Sequence, residues 1–144
     1  MLFISYATED VEYIHGLYTE LKAVALNPWM DKPPPPDQYK GIPIGARWEV
    51  ILEDRIRRAD QIVLALSSSS IAKRGYVTKE FRLALDLMNN LPQDSTLVYP
   101  IRIDKCEVPS LRVGQIDLRE LQWWDVPPAD RAEFATALSE QLRG

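Results

Sequence analysis

Apolar positions along the chain switch between a period of two and a period of 3.6, and the switches mark its elements. "LFISYA" (2–7) is a compact apolar run that predicts a strand. Residues 9–25 set Val11, Ile14, Leu17, Tyr18, Leu21 and Val24 at helical spacing, which predicts a helix with one apolar face. "NPWMD" (27–31) predicts a short second strand. The next stretch, "KPPPPDQYKGIPIG" (32–45), cannot be helical, because its proline run lacks donors and leans toward polyproline II. Residues 46–59 predict a second helix that buries Trp48, Ile51, Leu52 and Ile56. "QIVLALS" (61–67) is apolar throughout, as expected of a strand covered on both faces. Four serines lead into a third helix from about residue 75. "TLVYPIRI" (96–103) reads as a strand, although Pro100 cannot donate to a ladder. A short strand near "LQWWDV" and a last helix over 128–142 close the chain.

Strands alternating with helices imply right-handed crossovers and a parallel sheet with helices on both faces. There is no internal repeat and no second hydrophobic unit, so residues 1–144 are expected to be one doubly wound α/β domain. With a strand opening at residue 2, that domain could stand alone or be the N-terminal effector domain of a longer protein. The proline-rich loop leaves the carboxyl end of a strand, the place where open α/β sheets hold their ligands.

One position departs from the pattern. On the helix "GYVTKEFRLALD" (75–86), with Val77 at zero and 100° per residue, Ala84, Met88, Phe81 and Leu85 fall within roughly 80°. Leu87, Tyr76 and Leu83 extend the apolar arc the other way, and Glu80 sits inside it at about −60°. Two readings follow. Glu80 is an acid favoured by the dipole near a helix N-terminus, or it is a half-buried carboxylate facing a pocket beside an aromatic wall.

Composition narrows the alternatives. A chain of 144 residues, 46% hydrophobic and 26% charged, can bury a full core without staples. A net charge of −4 with no basic run argues against nucleic acid as a partner. The single cysteine, Cys106, cannot form an internal disulfide, and no apolar run approaches the ~18 residues of a membrane span. "MLFISYATED" lacks a basic n-region and is not a signal peptide, so the expected setting is the cytoplasm. The first strand is followed by "YATEDVE", without the glycines of a dinucleotide fingerprint. A phosphate-cradling G-x-x-x-x-G-K-[ST] is absent too. The third strand ends in Ser67–Ser70 rather than a phosphoacceptor aspartate. One His (His15) and one Cys do not make a metal site or a Cys–His nucleophile, and no metal or cofactor is expected.

The carboxyl ends of parallel strands point one way. Tyr6–Thr8, Trp29–Lys32 and Ser67–Ser70 should therefore converge with the start of the Glu80 helix on one crevice. One carboxylate there limits the chemistry. Ordinary glycosidases use two, because a poor leaving group must be protonated while a cationic sugar is stabilised. A glycoside whose leaving group is already cationic, such as the nicotinamide of NAD+, needs no general acid. The pattern permits an N-glycosidase without singling one out.

Taken in order, "LFISYA", "WMDK", a loop ending in Gly45, "IVLALSSSSI" and "GYVTKEFRLAL" resemble the Toll/interleukin receptor (TIR) domain family, especially its bacterial members. The likeness continues through "VYPIRID" and the pair Trp123 and Trp124, covering essentially the whole chain. The resemblance implies a flavodoxin-like, five-stranded parallel sheet, in which the fourth strand often carries a proline. It also implies an NAD+ glycohydrolase that releases nicotinamide and leaves ADP-ribose or a cyclic isomer. Glu80 is then the catalytic glutamate, four residues after Tyr76, where the family usually has tryptophan. Tyr6, Ala7 and Thr8 after the first strand, and Trp29, Asp31 and Lys32 after the second, would line the substrate site. So would Ile44 and Gly45 at the end of a mobile loop (33–45), Arg47 and Trp48 at the start of the next helix, and Ser67. Tyr76 and Trp48 would wall the site, and Asp31 and Ser67 would contact ribose or phosphate. NAD+ is thus the expected partner as substrate, together with TIR–TIR self-association, often in filaments, that activates such domains in bacterial antiphage defence. A non-enzymatic TIR–TIR signalling module and a deoxyribosyltransferase-like enzyme are the alternatives.

Overall fold

A computed structural model of the chain describes residues 1–72 and 76–144, and all of their side chains except those of 76–78. In chain order the elements are β1 (Leu2–Ser5), α1 (Val11–Ala23), β2 (Pro28–Trp29), α2 (Trp48–Arg58), β3 (Gln61–Leu66), α3 (Ser68–Ala72), α4 (Tyr76–Asn89) and β4 (Val98–Arg102). A hairpin of β5 (Arg112–Val113) and β6 (Ile116–Asp117) follows, then β7 (Trp124–Asp125) and α5 (Arg131–Arg143). β2-β1-β3-β4-β7 form a five-stranded, all-parallel sheet, and β5 pairs with β6 antiparallel. This is the α/β architecture that the alternating pattern implies. The chain winds one way from β1 to β2 and the other way from β3, so the switch point lies between β1 and β3.

The period of two in the strands divides the core between two faces. Leu2 and Ile4 of β1, Val63 and Ala65 of β3, and Ile101 of β4 pack under α1 and α5, with Ile14, Leu17, Leu21, Phe134 and Leu138. The alternate residues Phe3, Ile62, Leu64, Leu66 and Val98 pack under α2 and α4, with Leu52, Ile56, Phe81, Ala84 and Leu85. β3 is central and buried on both sides, which is why its sequence does not alternate. Each fully buried Leu, Ile or Phe side chain contributes roughly 1.5–3 kcal/mol through removal from water.

Pro100 lies within β4, opposite Leu64. Ile62 N donates to Leu97 O and Ile103 N donates to Leu66 O, so the odd-numbered residues of β4 face β3. Pro100 is an even position and faces the other side, where β7 begins only opposite Ile101. Its missing donor therefore interrupts no ladder. Trp48 departs from expectation. It opens α2, beyond the reach of the sheet, and is 49% exposed, while Leu52 and Ile56 one and two turns later do the burying. The β5–β6 hairpin and the short α3 were not expected from the pattern. The hairpin turns at Gly114-Gln115, with Gly114 at φ +59, a two-residue connection for which glycine at the first position is a signal.

The proline-rich loop is held in place at its middle. Asp37 is buried and accepts hydrogen bonds from Lys22 and, at 2.8 Å, from Tyr18, both on α1, while Lys40 lies 3.2 Å away. Lys22 first and Tyr18 second hold its carboxyl down at about 2. The return of the loop is fixed where Ile42 N donates to Asp31 O at 3.2 Å. Gly41 passes so close to that carbonyl that a Cβ would stand 2.1 Å from it. Asp37→Ala is expected to free this segment without unfolding the domain. Trypsin should cut after Lys40 several-fold faster in the variant, with the sheet's far-UV signal and cooperative melt retained; an unchanged cleavage rate would show that Asp37 does not hold the loop.

Candidate active site

The site lies at the carboxyl ends of β1, β2 and β3, beside the switch point. Glu80 stands one turn into α4, on the side that carries Phe81, Ala84 and Leu85 into the core, and is only 7% exposed. Its carboxyl faces the end of β1 and a cleft of about 200 Å³ between α2 and α4, lined by Glu49, Glu53, Ile56, Lys79 and Leu83. Burial pushes its pKa up to about 8, and the charge of Asp31 pushes in the same direction. Ser5 pulls the other way, although its hydroxyl completes no hydrogen bond among the described residues.

Tyr6 and Asp31 complete the cluster. The Tyr6 hydroxyl donates to Asp31 Oδ1, joining the loop after β1 to the segment after β2. Its phenol is raised well above its ordinary value, first by burial, then by Asp31, and also by the charge of Glu80. Tyr6, Asp31 and Glu80 thus sense one another, with Ser5 beneath them.

The other expected site residues are disposed differently. Ala7 is buried and its carbonyl accepts from Asp10 N at 2.8 Å, starting the turn that contains Thr8, which is exposed. Trp29 stacks on Phe3, with ring centroids 5.4 Å apart, and Arg55 of α2 lies 5.8 Å from its ring. It therefore ties β2 to α2 through the core. Lys32 is exposed, and its carbonyl meets His15 Nε2 at 2.8 Å. Ile44 is fully exposed, Gly45 has φ +81 in open space, and Arg47 is exposed as the residue before α2. Ser67 is buried; its hydroxyl donates to Asp10 Oδ2 at 2.5 Å and accepts from Ser70 N at 3.0 Å. Tyr76 begins α4, and its side chain lies outside the described residues.

The TIR-domain family model matches residues 2–143, nearly the whole chain. The chain belongs to the TIR-domain family. Among solved structures, the crystal structure of the TIR domain of the Toll-related receptor TRR-2 from the lower metazoan Hydra magnipapillata is similar, with a TM-score of 0.72. The two share 20% identity, and the match covers 99% of this chain and 98% of that one, a likeness of fold. Among proteins with curated descriptions, none matches. No helix among the described residues of this TIR domain is long and apolar enough to cross a membrane.

Three residues of the site escaped the sequence reading. Ser5 was legible in principle, since alternation along "LFIS" puts it on the inward face shared with Phe3. Asp10, which holds Ser67, and Asp37, which holds the loop, depend on partners 57 and at least 15 residues away, and no local spacing reveals them. Chemically, the cluster offers one protonatable carboxyl in a largely dry setting, a second acid close by, and the Tyr6 hydroxyl between the strands.

An acid whose pKa rises on folding makes stability fall as pH rises. The folded domain keeps the Glu80 proton between about 4.5 and about 8, where the unfolded chain has lost it, so ionisation works against folding across that interval. Glu80→Gln removes that dependence. The variant is expected to melt at nearly the wild-type temperature at pH 4.5 and to exceed it by several degrees at pH 8.5, an advantage of a few kcal/mol at most. Equal melting temperatures at both pH values would show that Glu80 is not a buried acid.

Proposed function

We propose that this TIR domain is an NAD+ glycohydrolase, which breaks the nicotinamide–ribose bond and yields nicotinamide with ADP-ribose or a cyclic isomer. The observation that carries the reading is Glu80, a carboxyl buried at the ligand end of the sheet, beside the topological switch, with Asp31 raising its proton affinity further. A leaving group that departs as neutral nicotinamide from a cationic ring needs no acid. The ribosyl cation that develops does need a fixed negative charge against it, and Glu80 is placed to supply that charge. Asp31, held by Tyr6 and near enough to act on Glu80 through its charge, is the proposed partner of a ribose hydroxyl. Trp48 and Tyr76 are the proposed walls for the base. Ser67, whose hydroxyl donates to Asp10, is proposed to contact ribose or phosphate once the site opens.

The cleft at Glu80, about 200 Å³, is smaller than the ~300 Å³ at which small-molecule sites begin, and NAD+ is a large ligand. Opening therefore precedes turnover. TIR domains commonly self-associate through TIR–TIR contacts, and this one carries exposed Tyr39, Ile44, Trp48 and Val50 on its proline-rich loop and the start of α2. Assembly through this face, moving the loop and the first turn of α2, is the proposed means of opening. By its bacterial resemblance the domain would act in the cytoplasm as an antiphage effector.

The same exposed residues favour a second reading, a TIR–TIR signalling module without enzymatic activity, in which Glu80 is only a buried acid. Nicotinamide release separates the two. Wild-type protein is expected to cleave a fluorescent NAD+ analogue with a rate per molecule that rises with protein concentration. Glu80→Ala and Glu80→Gln should lower it by at least about 10²-fold, in keeping with removal of one electrostatic stabiliser. Because ionised Glu80 is the working form, kcat/KM should climb from pH 6 and level off above about 8. Absence of cleavage even in forced clusters would favour the signalling module, and undiminished cleavage in both variants would remove Glu80 from the chemistry.

A further inference from the structure

Ser5 is 1% exposed, and its hydroxyl has no hydrogen-bond partner among the described residues. Other buried polar side chains are engaged. Asp37 is held by Lys22 and Tyr18, Ser67 by Asp10, Ser70 by Ser67 and Asp117 by Arg119. An unpaired buried hydroxyl is disfavoured unless another state of the molecule uses it. Strand alternation puts Ser5 on the α2/α4 face of β1 with Phe3, and there it acts on the Glu80 carboxyl.

Among the described residues, few are suited to partner an ionised Glu80. From the segment after β2, Asp31 is an acid that repels a second negative charge. From the loop after β1, the Tyr6 hydroxyl already donates its hydrogen bond to Asp31. Glu49 and Glu53 line the cleft from α2 and are also acids. Lys79, on α4 itself, is exposed. Ser5 brings a hydroxyl proton from the strand beneath, and a carboxylate, unlike a protonated acid, is a pure acceptor.

We propose that Ser5 is a positioning residue for Glu80: when the acid ionises, the Ser5 hydroxyl donates to the carboxylate and fixes it at the floor of the crevice. The proposal rests on the reading of Glu80 as the reacting group, and it explains why a hydroxyl idle beside the neutral acid occupies a strand position otherwise built of Leu, Phe and Ile. The donor stabilises the charged form against burial and against Asp31.

The test is an NMR titration of the Glu80 side-chain carboxyl carbon in the free protein, which requires no turnover. Wild-type protein should titrate near pH 8. Ser5→Ala and Ser5→Cys, which remove or weaken the donor, should titrate roughly one pH unit higher. Ser5→Thr, which keeps the hydroxyl, should stay within about 0.3 of wild type, and Asp31→Asn should move lower. A Ser5→Ala or Ser5→Cys titration at or below the wild-type value overturns the proposal. The rising limb of kcat/KM for NAD+ should move with the titration in each variant. A shifted titration without a matching shift in rate would keep the Ser5–Glu80 pairing and overturn the NAD+ reading instead.

Discussion

Keeping a carboxylic acid in a place that water scarcely reaches is the constraint around which the rest of this domain is arranged. Glu80 is carried there by α4, whose apolar residues Phe81, Ala84 and Leu85 must meet Phe3, Leu64 and Leu66 of the sheet. The helix cannot rotate to expose the acid without lifting those residues out of the core. Burial and the Asp31 charge both oppose ionisation, so the proton stays on up to about pH 8. The resting domain thus stores little electrostatic strain.

Asp31 and Asp37 show how the same side chain is put to opposite uses six residues apart. Asp37 sits among Lys22, Tyr18 and Lys40, which favour its charge, and so it works as an anchor that fixes the proline-rich loop to α1. Asp31 has a neutral donor, Tyr6, and an acid for a neighbour, and so it works on Glu80 through repulsion. The loop between them is fixed at Asp37 and again at Gly41 and Ile42, while Tyr39 and the stretch around Ile44 and Gly45 are exposed.

The architecture was legible because burial imposes a period. The strict alternation of strands and helices gave the parallel sheet, and the 100° step placed Glu80 among apolar side chains, where it is found. Pro100 looked anomalous only because sequence does not say which side of a strand has a neighbour. Trp48 misled for a related reason: an apolar residue at a helix start counts as buried by periodicity, but the sheet ends before reaching it. The stacking of Trp29 on Phe3 was invisible, because it pairs residues of two strands. The Asp10–Ser67 and Tyr18–Asp37 pairs were invisible because hydrogen bonds across such separations leave no local signature.

The high proton affinity of Glu80 fits the substrate class proposed for it better than a fully ionised acid would. A permanent carboxylate in this cleft would lower the stability of every folded molecule, whether or not a ligand was present. Below about pH 8 the free domain holds the Glu80 proton, and under the proposed function an entering cationic ring would favour its release, drawing part of the ionisation energy from binding. The positive charge of the nicotinamide, and then of the ribosyl cation, offsets the repulsion from Asp31 just where the new anion forms. A neutral glycoside would bring no such charge and would call on Glu80 as a proton donor instead. On this argument the charge of the proposed substrate, as well as the pH, sets how far Glu80 is ionised in the complex.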